Sequence, residues 1–138
     1  MGSIIVRSIV KTGDYRVVAT DVDPSRRMLV KSYGAEVFES NRDAVKSSDV
    51  VILAVKPKDI PVVVTDVKDL ISGKLVISIA AAVSLNRMES IVPDAKFIRV
   101  MRNILIEVGD EFISLCIGSR ATEEDFEKAG RIFRRMGE

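Results

Sequence analysis

The chain has no histidine. That excludes a serine–histidine–aspartate triad and any histidine-ligated metal built from this chain alone. Its single cysteine, Cys116, excludes an internal disulfide and a paired-cysteine zinc site. Cys116 lies in the apolar run 112–117 and is expected to be buried as a small hydrophobe. A lone thiol also fits a reducing compartment. An excess of one charge is missing too. The chain carries 21 basic and 20 acidic residues, a net +1, so no strong field draws in nucleic acid or an anionic membrane. No apolar run reaches the roughly 18 residues of a membrane span. No charged-then-apolar leader with a small-residue cleavage site is visible. The expected compartment is the cytoplasm, with no nucleic acid, membrane or metal as partner. Any chemistry then rests on carboxylates, lysine, hydroxyls or a bound cofactor.

What is present is ordinary for a globular domain: 138 residues, 47% apolar and 30% charged, enough to bury a core. Apolar runs at 16–20, 50–55, 75–80 and 97–101 are nearly continuous in Val, Ile, Leu and Ala. Such runs suit strands buried on both faces of a parallel sheet. Helix punctuation lies between them. Asp23 caps a helix that starts at Pro24 and stops at Gly34. Ser40 and Asn41 start a short helix through Lys46. The next begins at Lys58 or Asp59, tolerates Pro61 in its first turn and ends at Ser72 and Gly73. Ser84 caps a helix over 85–91 that Pro93 terminates. Thr122 to Asp125 resembles a capping box ahead of 126–136. The run 112–117 follows a strand without an intervening helix and reads as an edge strand. Strands alternating with helices at this spacing predict an α/β, doubly wound, mostly parallel sheet.

Two segments set local propensity against position. Residues 62–67 are rich in β-branched side chains, but Ile60, Val63, Val64, Val67, Leu70 and Ile71 recur at helical spacing, which predicts a crossover helix. Residues 4–10 pose the same conflict. Followed by Lys11-Thr12-Gly13-Asp14 and a second apolar run, they read locally as one arm of a β-hairpin.

Open α/β sheets bind ligands at the carboxyl ends of their strands, and four stretches fall there. Asp21 closes the first run, nineteen positions after Gly2. An acid at about that distance from a glycine loop can accept the hydroxyls of an adenosine ribose; Asp21 and Asp23 can equally solvate a turn and cap a helix. Arg26 and Arg27 can reach a 2′-phosphate or sit in solvent. The stretch DVVILAVKP, 49–57, runs a buried strand into Lys56 and Pro57, where lysine can meet phosphate or ribose oxygens or lie on the surface. The small residues of SIAAAVS, 78–84, let a flat ring approach the backbone, though tight helix–sheet packing explains them as well. Asn103 offers a donor and an acceptor at the same edge.

In this order, VVATD with DPSR, NRDAV, DVVILAVKP, KLVISIAAAVS and FIRVMRN resemble the pyrroline-5-carboxylate reductase family, specifically its N-terminal dinucleotide-binding domain, a Rossmann-like fold. Deazaflavin-dependent oxidoreductases share the general plan but less of the pairing of AVKP with SIAA-VS. The resemblance implies reduction of a small imine, pyrroline-5-carboxylate, to proline with NADP or NAD as cofactor, hydride passing from the nicotinamide to the imine carbon. It places Thr20 and Asp21 beside the adenosine ribose and Asn41 against the adenosine portion. Ala54, Val55, Lys56 and Pro57 then line the cofactor near its centre, and Ile79, Ala80 and Ala81 approach the nicotinamide side. Gly2, Arg26 and Asn103 complete the cofactor-contacting set. Asp21 would favour NAD by repelling a 2′-phosphate, an effect that Arg26 softens.

The departures carry expectations of their own. The family opens on a strand and a G-x-G-x-x-G/A loop. Here Gly2 matches only the last small position of that loop, so cofactor binding is expected to be weakened and residues 3–11 to be the helix that faces the pyrophosphate. If residues 4–10 replaced the missing strand instead, that helix end would vanish. The strands at 17–20 and 50–55 would flank a gap with unpaired backbone groups. Either they close up, or a segment fills the slot, for example one swapped from a second copy, and a homo-oligomer is expected. Ala82 replaces a usual glycine. Arg102, Ile104, Leu105 and Ile106 replace turn-setting prolines and a hydroxyl. The family's helical C-terminal domain, which dimerises and supplies imine-binding and catalytic groups, is expected to be absent. Residues 1–138 then form a single dinucleotide-binding domain whose catalytic residues stay unassigned. Three functions follow: the cofactor-binding part of an NAD(P)H-dependent reductase of proline biosynthesis, a catalytically inactive nucleotide-binding or assembly module, or one part of a split enzyme.

Overall fold

The β-branched residues 4–10 lie within a helix, α1 (Gly2–Thr12). Their spacing explains it. Ile5 and Ile9, one turn apart, are both buried. Burying an isoleucine side chain contributes about 1.5–3 kcal/mol, which exceeds its helix-propensity deficit of roughly 0.5 kcal/mol. The Thr12 hydroxyl donates to the Ile9 carbonyl at 2.7 Å, and Gly13, at φ +70°, ends the helix. The hairpin alternative is thereby excluded.

The computed structural model describes residues 2–80, 82–105 and 110–134. After α1 come β1 (Val18–Ala19), α2 (Pro24–Ser32), β2 (Glu36–Val37), α3 (Asn41–Lys46), β3 (Val50–Leu53) and a 3-10 turn (Pro57–Asp59) leading into α4 (Ile60–Ile71). Then follow β4 (Leu75–Ser78), α5 (Leu85–Ile91), β5 (Lys96–Leu105), β6 (Asp110–Ile117) and α6 (Glu123–Arg134). Caps set several boundaries. The Asp23 carboxylate accepts the Ser25 N–H at 2.9 Å at the head of α2. The Ser84 hydroxyl accepts the Arg87 N–H at 3.2 Å, so α5 occupies the span expected of it. In α4, Ile60, Val64, Val67 and Ile71 form one buried stripe, and position prevails over strand propensity.

Strands β3, β4 and β5 are parallel, and β6 adds antiparallel at the edge, with Ile98 opposite Ile117. β1 and β2 form a separate parallel pair. Helices cover both faces of the larger sheet. Val51, Leu53, Val76 and Phe97 pack with α4 and α5 on one side; Leu75, Ile77, Ile98 and Val100 pack with α1 and α6 on the other. The fold is a mostly parallel, doubly wound α/β sheet, and no strand precedes α1 among the described residues.

The structure corrects several expectations. Strands β1, β3 and β4 are shorter than their apolar runs, β3 and β4 because their last residues turn into loops and β1 at both ends, whereas β5 is longer. Only β4 is buried on both faces throughout; β3 alternates half-buried and buried residues, since β4 is flanked on both sides and β3 on one. β2 did not register as a run because it is two residues long. α6 begins at Glu123 rather than at 126. The strands flanking the expected gap do not close up: β1 pairs only with β2, and β3 only with β4, among the described residues. Cys116 is exposed. Leu115 turns toward the α6 side, so its neighbour on the edge strand must turn the other way.

Candidate cofactor-binding site

Helix α1 starts at the carboxyl end of β3. A Cβ built on Gly2 would lie 3.3 Å from the Ala54 Cβ, so the helix N-terminus and the exit of β3 are in close approach. From there α1 runs back along the sheet, burying Ile5 and Ile9 beside Leu75 and Ile77. The chain reverses near Gly13, and β1 then runs forward again. The carboxyl end of β1 thus lies on the same side as Ala54 and the N-terminus of α1. The first N–H groups of α1 have no partner within the helix and carry the positive end of its dipole.

The loop after β1 is tightly organised. The Asp21 carboxylate accepts the Asp23 N–H at 2.9 Å, and Arg27 donates to the Asp21 carbonyl oxygen at 2.7 Å. Arg26 approaches the other Asp21 carboxylate oxygen at 4.0 Å and Asp23 at 3.9 Å, and its side chain is exposed. Hydrogen bonds from the Ser25 hydroxyl and N–H, assisted by Arg26, hold the Asp23 carboxyl below its ordinary range. Asp21 therefore does set a turn, but one oxygen and the Arg26 guanidinium remain turned outward. The two arginines separate here in a way that sequence did not reveal: Arg27 is a backbone clamp, and Arg26 is the available cation. Thr20, half-buried, precedes them.

Ala54, Val55, Lys56 and Pro57 are all exposed, and Pro57 opens the 3-10 turn. Asn41 is the first residue of α3, after β2, and is half-buried. At the exit of β4, the Ile79 N–H donates to the Leu53 carbonyl at 3.2 Å, tying two carboxyl ends together. Ser78 is fully buried, and its hydroxyl accepts the Ala80 N–H at 3.3 Å. Ser78 heads the small-residue stretch, and its hydroxyl bond to the Ala80 N–H is a role that sequence reasoning did not assign to it. Ala80 is buried in the core cluster with Val76 and Val83. Ala81 lies outside the described residues. Asn103 is in β5 opposite Phe112, and its side chain lies outside the described ones.

These residues fit a dinucleotide. The close approach at Gly2, which a larger side chain would fill, admits a phosphate to a helix N-terminus. The Asp21 carboxylate and the exposed 54–57 loop lie at the same edge, where they would meet the ribose hydroxyls and the centre of such a cofactor.

The chain is similar to known proteins along most of its length. A family model described as NADP oxidoreductase, coenzyme F420-dependent, matches residues 1–82. Pyrroline-5-carboxylate reductase from Pisum sativum is 37% identical over 88% of this chain and 45% of its own length. The same enzyme from Methanosarcina acetivorans is 36% identical over 99% of this chain and 53% of its own. A pyrroline-5-carboxylate reductase structure from Coxiella burnetii superposes with a TM-score of 0.85 and 27% identity, covering 98% of this chain and 52% of that one. The chain spans about half the length of the curated relatives it matches. With an α/β fold whose loops gather at one sheet edge, and pyrroline-5-carboxylate reductases similar to it along nearly its whole length, the chain belongs to the pyrroline-5-carboxylate reductase family and matches about half of that family's fold.

Proposed function

We propose that this chain supplies the cofactor-binding part of an NAD(P)H-dependent reductase acting on a small cyclic imine, pyrroline-5-carboxylate, in proline biosynthesis. The observation that carries the reading is the approach of Gly2 to Ala54, which sets the N-terminus of α1 beside the exits of β1 and β3. The N–H groups of Gly2 and Ser3 would face the pyrophosphate. Asp21, with Thr20 and Asn41, would hold the adenosine portion, and Lys56 would meet phosphate or ribose oxygens. Ile79 and Ala80, with Ala81 and Asn103, would border the nicotinamide. When bound, the reduced nicotinamide supplies the hydride that adds to the imine carbon. Asp21 disfavours a 2′-phosphate while Arg26 attracts one, so the chain would accept both NADH and NADPH. A cytoplasmic location and assembly into a homo-oligomer belong to the same reading.

The test is paired. Titration with NADH and NADPH, followed by thermal shift, should raise the melting temperature. Pyrroline-5-carboxylate turnover by residues 1–138 alone should be negligible, because the resemblance places the family's imine-binding groups outside the half that these residues match. No shift with either nucleotide at millimolar concentration removes the cofactor site. Turnover by residues 1–138 alone would place the imine-binding groups within them. Sedimentation equilibrium reads the assembly, and a single-chain mass at all concentrations contradicts it.

A further inference from the structure

Arg42 is rooted at the cofactor edge of the sheet and reaches away from it. It is the second residue of α3, after Asn41. The loop before α3 lies beside the exit of β1, where the Phe38 N–H donates to the Ala19 carbonyl oxygen at 3.0 Å. Helix α4 leaves that edge after β3 and returns to the head of β4, which runs parallel to β3, so its later turns lie toward the opposite edge. Those turns hold the Arg42 guanidinium. Nη1 and Nη2 donate to the two Asp69 carboxylate oxygens at 2.8 Å each, and Nη1 also donates to the Asp66 carbonyl oxygen at 2.6 Å. A bidentate pair of this kind is the geometry in which an exposed ion pair holds its arginine in place. The Arg42 guanidinium lowers the Asp69 carboxyl to about 2, so the pair stays charged at neutral pH. The donor fork that Asp69 occupies is also the one a phosphate would take.

We propose that Asp69 is a specificity-determining residue for the cofactor, acting through Arg42. By pairing with both terminal guanidinium nitrogens it withholds from a 2′-phosphate the arginine that follows Asn41, and leaves Arg26 to serve as the cation for that group. The proposal rests on the reading that Thr20, Asp21 and Asn41 hold the adenosine portion. Released from Asp69, an arginine rooted one residue beyond Asn41 would offer its donors to a dianionic phosphate there, and NADPH would gain over NADH. Asp69 itself stays remote from the cofactor. It positions Arg42, and so tunes the choice of nucleotide from the far end of α4.

The experiment compares NADPH and NADH affinities of the full chain by calorimetric titration. The Asp69 side chain is exposed and alanine favours a helix, so Asp69→Ala leaves the core intact. Its NADPH-to-NADH affinity ratio is expected to rise about fivefold over the parent's. Asp69→Glu, which keeps the charge, should hold the parental ratio. Arg42→Ala should leave the ratio unchanged, and adding it to Asp69→Ala should cancel the rise. That last arm separates release of Arg42 from the simple loss of a negative charge. The proposal is overturned by an unmoved ratio in Asp69→Ala, by an equal rise in Asp69→Glu, or by a rise that survives removal of Arg42. A fall in Arg42→Ala alone also overturns it, since Arg42 would then be on the phosphate already. Failure of the cofactor reading has a different signature, a parental chain that binds neither nucleotide, and it overturns both.

Discussion

The Cα of Gly2 faces the methyl group of Ala54 so closely that a Cβ at residue 2 would stand 3.3 Å from it. This contact fixes where α1 begins relative to the exit of β3, and so where its unpaired N–H groups lie. Gly2→Val would push the two elements apart. NADH affinity is expected to fall roughly tenfold, about 1.4 kcal/mol, with little change in melting temperature because Ile5 and Ile9 still anchor the helix. Calorimetric titration of the variant beside the parent checks this; equal affinities would separate Gly2 from the cofactor.

Asp21 has a turn to hold and a charge to present, and one substitution divides the two. Asp21→Asn keeps an oxygen for the Asp23 N–H but removes the charge near Arg26. NADPH affinity relative to NADH is expected to rise roughly tenfold, and Arg26→Ala is expected to lower it by a similar factor. A ratio unmoved by either change would place the 2′-phosphate elsewhere.

Thr122 and Asp125 cap α6 reciprocally. The Asp125 carboxylate accepts the Thr122 N–H at 2.9 Å and its hydroxyl at 3.0 Å, and the Thr122 hydroxyl accepts the Asp125 N–H at 3.2 Å. Burial pushes the Asp125 carboxyl up, but the Thr122 groups together with Lys96 outweigh it and leave it below its ordinary value. A depressed carboxyl stabilises the fold above the unfolded-state pKa, about 3.9. That contribution is lost as pH falls through the folded-state value. Thr122→Ala should cost about 1 kcal/mol at neutral pH, read from urea unfolding. Asp125→Asn should flatten the acid limb of the stability profile, and an unchanged acid limb would contradict the assignment.

Gly118 holds the junction between β6 and α6 against β5. A Cβ there would lie 2.8 Å from the Phe97 carbonyl oxygen and against the Glu89 carboxylate, which also accepts the Ser119 N–H at 2.6 Å. Glu89 can swing away, but the β5 backbone cannot. Gly118→Ala should destabilise by about 1–3 kcal/mol, read as a lower urea midpoint at constant slope. A neutral result would show that the edge can shift.

What the sequence made legible was mostly local. Ser84 and Pro93 bracket α5, and Asp23, Pro24 and Gly34 bracket α2, because capping and proline chemistry act within a few residues. The helical state of residues 4–10 was not legible from propensity. It followed from the resemblance, and its cause is the burial of Ile5 and Ile9. The exposure of Cys116, the burial of Ala80 and the half-burial of Val50 and Ile52 were illegible for one shared reason. Each depends on whether a neighbouring strand or helix extends over that position. At the site, the stretches around Asp21, Ala54 and Ile79 were legible as strand exits. The division of labour between Arg26 and Arg27, and the hydrogen bond between Ser78 and the Ala80 N–H, required coordinates.

The most direct measurement is residue-resolved: amide chemical shifts of the isotopically labelled chain during titration with NADH. If the carboxyl edge of β1, β3 and β4 is the cofactor site, saturable shifts will concentrate at Gly2 and Ser3, at Thr20 and Asp21, over residues 54–56, and at Ile79 and Ala80. No saturable shift at millimolar NADH, or shifts centred on β6 and α6, would contradict the account.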